Sequence, residues 1–318
     1  MEGSKLKKKL FILLMSMVVM TVLAACNQEE VTSDADGDEQ IQVMTTIAQI
    51  GEPLSVIGGE HVEVKSLMGP SVDPHLYNAT QGDIATLEQA DLIFYNGLDL
   101  EVNMVKIFNQ IGQSKPVLAV GDAISESDLL EEEVGVIDPH IWFDIDLWKQ
   151  ALAAAVEELK DYAPDLADEF EANKQEYFAE LEALQAEAEE KLAEIPENQR
   201  YLVTAHDAFG YFGEKFDLEV VGLQGLSTED EIGVSDIRDT IELISEYQVP
   251  AIFVESSVPT RMIESVIEGA ASEGIDVEIG GELFSDAMGE AGTDEGTYLG
   301  MYRHNVETIY QALAGGAE

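Results

Sequence analysis

Two of the five histidines in this chain sit in the same short phrase, Val72-Asp73-Pro74-His75 and Ile137-Asp138-Pro139-His140. A third, His206, follows the apolar run Tyr201-Leu202-Val203-Thr204. Proline fixes its own φ and pushes the residue before it into an extended conformation, so each Asp-Pro-His delivers an imidazole from a stiff loop. Metal ligands have to be held before the ion arrives, and neutral imidazole is the commonest protein metal ligand. The chemistry these residues point to is therefore divalent cation binding.

The elements around them are strands and helices in alternation. Short β-rich runs at Ile41–Ile47, Val62–Leu67, Leu92–Tyr95 and Val117–Val120 enclose helix-like stretches near Gln49–Ile57, Thr80–Gln89 and Val102–Ile111. A second set has strands at Tyr201–Thr204, Leu218–Leu223, Ala251–Val254 and Ile275–Ile279. Its helices lie near Ala208–Phe216, Val234–Tyr247, Pro259–Ser272 and Glu295–Ala314. Alternation of this kind implies parallel sheets flanked by helices, here as two α/β lobes. Between them lie a helix at Leu147–Tyr162 and a stretch from Asp165 to Glu194 free of Gly and Pro, bounded by Pro164 and Pro196. That stretch would span roughly 45 Å as one rod. Its apolar positions Phe170, Tyr177, Leu181, Leu184 and Leu192 form a stripe suited to packing on a domain.

In open α/β sheets, ligands bind beyond the carboxyl ends of strands. His75 follows the strand at Val62–Leu67, and His206 follows the strand at Tyr201–Thr204. His140 closes the first lobe. After the last strand of the second lobe, Gly280-Gly281-Glu282-Leu283-Phe284-Ser285-Asp286 offers two carboxylates, Glu282 and Asp286. Three imidazoles and one carboxylate would meet between the lobes. His61, in a turn after Gly58-Gly59-Glu60, and His304, in a polar helical run, are expected to stay out of the site. Asp73, Asp138, Asp144 and Asp207 lie near the ligand histidines and are candidates to accept the second ring proton of an imidazole, although Asp144 and Asp207 also suit helix capping.

Composition narrows the function classes. A basic start (Lys5, Lys7, Lys8, Lys9), an apolar run from Leu10 to Val22 and then Leu23-Ala24-Ala25-Cys26 form a secretory pattern. The apolar run is short for a membrane-spanning helix. Leu-Ala-Ala-Cys resembles the bacterial lipobox, so residues 1–25 are expected to be a lipoprotein signal peptide and Cys26 the lipidated residue. Cys26 is the only cysteine, which excludes disulfides within the chain and thiolate metal sites. Residues 26–40 read as an acidic flexible tether. The formal net charge of −48 argues against nucleic acid as a partner.

Taken together, Val72 to His75, Asp138-Pro139-His140-Ile141-Trp142-Phe143-Asp144, Val203-Thr204-Ala205-His206-Asp207-Ala208-Phe209-Gly210-Tyr211-Phe212 and Gly281 to Asp286 resemble the zinc- and manganese-binding proteins of bacterial ABC importers, metal-binding solute-binding protein family 9. The resemblance runs from about Ile41 to Leu313, with four motifs in order. It implies two α/β lobes joined by one long rigid helix, with boundaries at 41–163, 164–196 and 197–318. It implies ligands His75, His140, His206 and Asp286 around one transported Zn2+ or Mn2+. Its partners would be an ABC permease and its ATPase, with the chain a monomer anchored through Cys26 at the outer face of the cell membrane, or facing the periplasm if the host has two membranes. Lipoproteins of this type are also associated with cell adhesion. Some manganese-selective members carry glutamate at the third position, where this chain has His206, which leaves both metals open. Three nitrogens and a carboxylate suit borderline divalent ions. A monodentate Asp286 gives the four-coordination natural to zinc, and a bidentate one adds a fifth bond. Binding is expected to weaken as pH falls through roughly 6, where ordinary histidines become charged.

The competing class is a secreted metallohydrolase. A catalytic zinc keeps a position open for water and needs a general base. Four ligands fill the tetrahedron, and neither His-Glu-x-x-His nor Gly-x-Ser-x-Gly occurs. The reading is a protein that holds metal and is not an enzyme.

Overall fold

The computed structural model describes residues 40–315 except 134, 230 and 231. The signal segment, Cys26 and nearly all of the tether lie outside the described residues. The first half runs β1 (Ile41–Thr45), α1 (Ala48–Gly58), β2 (Val62–Ser66), α2 (Gln81–Gln89), β3 (Leu92–Tyr95), α3 (Val105–Ile111) and β4 (Val117–Ala119). A small ribbon, β5 (Glu131–Glu133) and β6 (Val136–Ile137), is followed by α4 (Ile145–Tyr162) and α5 (Ala167–Leu192). The second half runs β7 (Tyr201–His206), α6 (Gly210–Phe216), β8 (Glu219–Gln224), α7 (Val234–Tyr247), β9 (Ala251–Glu255), α8 (Arg261–Glu273), β10 (Glu278–Leu283) and α9 (Tyr298–Ala314).

The first four strands form one parallel sheet in the order β2-β1-β3-β4, with Val43 opposite both Val64 and Leu92. In the second half β7 pairs with β8, and β9 with β10, again in parallel, with β7 running beside β9. All five residues of β9 are buried, as expected when helices cover both faces of a parallel sheet. The architecture is thus the expected α/β one, with two lobes of mostly parallel sheet flanked by helices and a long helix between them.

That long helix, α5, has 26 residues, about 39 Å at 1.5 Å per residue. A 3-10 turn at Pro164–Leu166 leads into it. Its buried face is Phe170, Tyr177, Leu181, Leu184, Ala188 and Leu192, the stripe expected from spacing plus one alanine. The main core extends from the first sheet through α4 and α5 to Phe209, Phe212, Tyr298 and Tyr302 of the second half. A separate smaller core fills the space among β7, β9, α7 and α8.

Several element boundaries depart from the sequence reading, among them that of β7, which runs on past Thr204 to include His206. The last strand is β10 at Glu278–Leu283, later than Ile275–Ile279. It runs through Gly280-Gly281, a pair that reads as a loop. A side chain at Gly280 would press on Ala312 and Phe253, and Gly281 sits at φ 147°, where β10 shifts register against β9. Glycine is what lets this strand bulge while α9 packs on it. The last helix begins at Tyr298 because Thr297 caps it, accepting a hydrogen bond from the Gly300 N–H. The stretch from Val102 opens as a 3-10 turn before α3. Among the described residues, no helix is long and apolar enough to cross a membrane.

Candidate metal centre

The repeated Asp-Pro-His phrase has a physical basis beyond the proline. Asp73 Oδ1 accepts the backbone N–H of His75 at 2.9 Å, and Asp138 Oδ1 accepts that of His140 at 2.9 Å. Each aspartate closes a turn onto the residue two places on, across a proline that has no N–H to compete. The two copies differ in one respect. Asp138 Oδ1 also lies 2.7 Å from His140 Nδ1, whereas His75 Nδ1 has no carboxylate partner among the described residues. The loop carrying His140 is held further by Asn96, whose side-chain amide donates to the Pro139 carbonyl at 2.9 Å, and by Tyr211, whose hydroxyl donates to the Asp138 carbonyl at 3.0 Å.

His206 is the last residue of β7 and is fully buried. Asp286 lies in the loop after β10, at the carboxyl edge of the second half. The neighbouring Ser285 carbonyl accepts hydrogen bonds from Gln49 Nε2 at 3.1 Å and Trp142 Nε1 at 3.2 Å. Both donors come from the first half, so the Asp286 loop is pinned across the chain.

These elements bring together His75, His140, His206 and Asp286, with one donor atom from each within 4.8 Å of the others. Asp286 is central. Its Oδ1 is 3.3 Å from His140 Nε2, and its Oδ2 is 3.3 Å from His206 Nε2 and 3.8 Å from His75 Nε2. All four side chains are buried. The three Nε2 atoms and both Asp286 oxygens are also buried without a hydrogen-bond partner among the described residues. Buried polar atoms almost always find partners. Five that converge on one point without any mark a place where a cation would satisfy them all.

The charges are arranged to the same end. Burial pushes the His75 imidazole down to about 4. Burial also opposes charge on His140, but Asp138 and then Asp286 outweigh it and lift that imidazole to about 9. The same contest at His206 is won by Glu255 and Asp286, which hold it well above the usual histidine range. Burial alone would raise Asp286, yet the facing His206, His140 and His75 hold it well below the usual carboxylate range. The cluster thus keeps an ionised carboxylate, with protons on imidazoles that a metal would displace.

The other sequence candidates sort as follows. Glu282 is exposed on β10 and takes no part, so the carboxylate choice between it and Asp286 falls to Asp286. Asp144 caps α4, accepting from the backbone of Asp146 at 2.8 Å and Leu147 at 3.2 Å. Asp73 spends its second oxygen on Thr228 Oγ1, at 2.6 Å. Asp207 touches no ligand ring through a hydrogen bond, and burial lifts its carboxyl to about 6. His61 pairs with Glu169 at 3.3 Å, and His304 meets the Glu282 carbonyl at 2.9 Å, so both stay out of the cluster.

Sequence reasoning passed over Glu255, the last residue of β9. It is 1% exposed. Its Oε1 accepts the His206 backbone N–H at 2.8 Å, and its Oε2 contacts His206 Nδ1. The available signal was a carboxylate ending the otherwise apolar run Ala251-Ile252-Phe253-Val254 at the binding edge of the sheet.

A family model described as zinc-uptake complex component A, periplasmic (ZnuA), matches residues 43–312. The manganese-binding lipoprotein MntA of Bacillus subtilis (strain 168) is 45% identical over 301 residues, covering 94% of this chain and 98% of the relative. The zinc-binding protein TroA of Treponema pallidum (strain Nichols) is 45% identical over 283 residues, covering 89% and 92%. The solved structure of the periplasmic zinc-binding protein TroA superposes with a TM-score of 0.85, covering 87% of this chain and all of that one. A match along nearly the whole length, including the segments that carry all four clustered side chains, establishes that this chain belongs to the zinc-uptake complex component A family.

Proposed function

We propose that this protein captures one zinc or manganese ion with His75, His140, His206 and Asp286 and hands it to an ABC permease driven by its ATPase. The observation that carries the reading is the convergence of five buried, unpartnered donor atoms on one point. Three imidazole nitrogens and a carboxylate are the donor set of a borderline divalent ion. Both Asp286 oxygens face histidines, so the carboxylate is positioned to give zinc a fourth bond or manganese a fourth and a fifth. Relatives named for manganese and for zinc stand at the same 45% identity, which supports keeping both ions.

The chain acts at the outer face of the membrane, tethered through Cys26 after loss of residues 1–25, as a monomer. Relatives named as lipoproteins support this placement. Its organisation is a first lobe at 41–163, a linking helix region at 164–196 and a second lobe at 197–318. Its role is to hold the ion. Four protein donors close the shell that a hydrolytic zinc leaves open to water.

Metal-stripped protein titrated against a chromophoric chelator is expected to take up one zinc or one manganese ion per chain. At about 100-fold excess over Kd, binding should stabilise the fold by roughly 2.7 kcal/mol. His140→Ala and Asp286→Ala should each abolish tight uptake. Uptake unchanged in both variants rules out this site.

A further inference from the structure

Glu255 and His206 form a buried pair whose members have nowhere else to turn. His206 Nδ1 and Glu255 Oε2 contact each other, and neither has a hydrogen-bond partner besides that contact among the described residues. The other oxygen of Glu255 is committed to the His206 backbone N–H at 2.8 Å. One carboxylate therefore grips the same histidine twice, at its main chain and at its ring. The two residues end neighbouring strands, β7 and β9, so the grip is built on sheet rather than on a loop. His206 Nε2, on the far side of the ring, faces Asp286 at 3.3 Å.

We propose that Glu255 is a positioning residue for the metal centre: by accepting the Nδ1 proton of His206 it fixes the tautomer that leaves the Nε2 lone pair for the ion. This rests on the metal-binding reading above and extends it to a residue outside the ligand set. An imidazole can offer a metal only the nitrogen that carries no proton, and the partner of the other nitrogen decides which that is. A carboxylate is acceptor-only, so it holds the proton on Nδ1. The Asp138–His140 contact at 2.7 Å is the same device on the other half of the chain, supplied there by a neighbour in sequence. His206 takes its partner from 49 residues away.

The decisive variant is Glu255→Gln, which keeps size and shape. Glutamine has one acceptor oxygen and one donor nitrogen, and Glu255 meets two N–H groups. If the amide oxygen keeps the His206 backbone N–H, the amide nitrogen faces Nδ1 and drives the ring proton to Nε2, where the ion must bind. Turned the other way, the amide nitrogen faces a backbone N–H and the grip is lost. Zinc affinity of E255Q, measured by chelator competition, is expected to fall about 10- to 100-fold, the usual effect of losing such a partner. Glu255→Ala leaves Nδ1 free of a donor and is expected to bind zinc more tightly than E255Q, even though it unfolds at a lower temperature. A merely structural role predicts the opposite order, with affinity following stability. In the zinc-loaded wild-type protein, 15N-edited NMR should show the His206 proton on Nδ1.

Wild-type affinity in E255Q, or the proton found on Nε2 in the zinc-loaded wild type, overturns the proposal. The NMR arm stands even if E255Q does not fold. Failure of the underlying reading has a different signature, namely a wild-type protein that takes up neither ion or a His206→Ala variant that binds as wild type.

Discussion

On the proposed function protons and metal would compete for the same nitrogens, and the structure puts that competition at an unusual pH. His140 is lifted to about 9. At pH 7 roughly one chain in a hundred then carries it neutral, so affinity sits about 100-fold below its alkaline limit, and each further unit of acid lowers it about tenfold. His206, held well above the usual histidine range, adds a second proton to be displaced. His75, pushed down to about 4, adds none above about pH 5. The logarithm of apparent zinc affinity should therefore climb with a slope between about one and two from about pH 6 to 8. Three ordinary imidazoles near 6.5 would instead level off above about pH 7.5, so the transition near 6 expected from sequence moves upward. Chelator competition across that range measures the slope. Calorimetry in buffers of different ionisation enthalpy should count about one to two protons released per ion near pH 7.5.

Stability of the metal-free protein should run the other way. The folded pKa of His140 lies above its unfolded value of 6.5, so its contribution is fully present below 6.5 and lost as pH rises through about 9. At about 1.4 kcal/mol per unit this is on the order of 3 kcal/mol. The stabilisation conferred by metal should therefore widen between about pH 7 and 9. An affinity that is flat between about pH 7 and 8, or a count below half a proton per ion, refutes the reasoning.

Further predictions concern single side chains. Asp286→Ala should remove tight metal uptake while Glu282→Ala, on the exposed side of β10, leaves it unchanged; equal losses in chelator competition would contradict the assignment. Phe212→Ala empties a fully buried position against Phe209, Phe143 and Tyr302, and urea unfolding should show a loss of about 3–5 kcal/mol, against less than about 1 if that region repacks freely. Asp144→Ala removes the cap of α4 and should cost about 1 kcal/mol by the same measurement, with no change in the number of ions bound.

The histidines were legible because rigidity and polarity are written locally. Asp-Pro-His constrains its own backbone, and His206 ends an apolar run, so type and placement can be read without knowing the packing. The stripe on α5 was legible for a similar reason, since a helix face is fixed by spacing. What stayed hidden depends on partners distant in sequence. Asp138 grips His140 from two residues away, while Glu255 reaches His206 from 49. The role of Gln49 appears only when its amide is seen on the Ser285 carbonyl, 236 residues along the chain. Gly280-Gly281 misled in the opposite sense. Glycine signals a turn by propensity, but here the crowding of Ala312 and Phe253 gives it a place inside a strand.

The cross-chain bonds also change what the metal is needed for. Ligands drawn from both halves suggest a clasp in which the ion fastens one half to the other. Yet Ser285, next to Asp286, is already bonded to Gln49 and Trp142 of the first half. Tyr298 and Tyr302 of α9 donate their hydroxyls to the carbonyls of Trp142 and Phe143, at 2.6 and 3.0 Å. Tyr211 of α6 donates to the Asp138 carbonyl at 3.0 Å. These bonds are buried and made by protein alone, and they surround a hydrophobic core that runs unbroken between the halves. The segments bearing His140 and Asp286 are thus set against each other by packing, and an ion bound there would meet a cage whose shape it does not have to create. Binding energy is then available for choosing among ions rather than for assembling the site. On the proposed function, the contacts that Asp138 and Glu255 make with His140 and His206 would then hold the rings in place before an ion arrives.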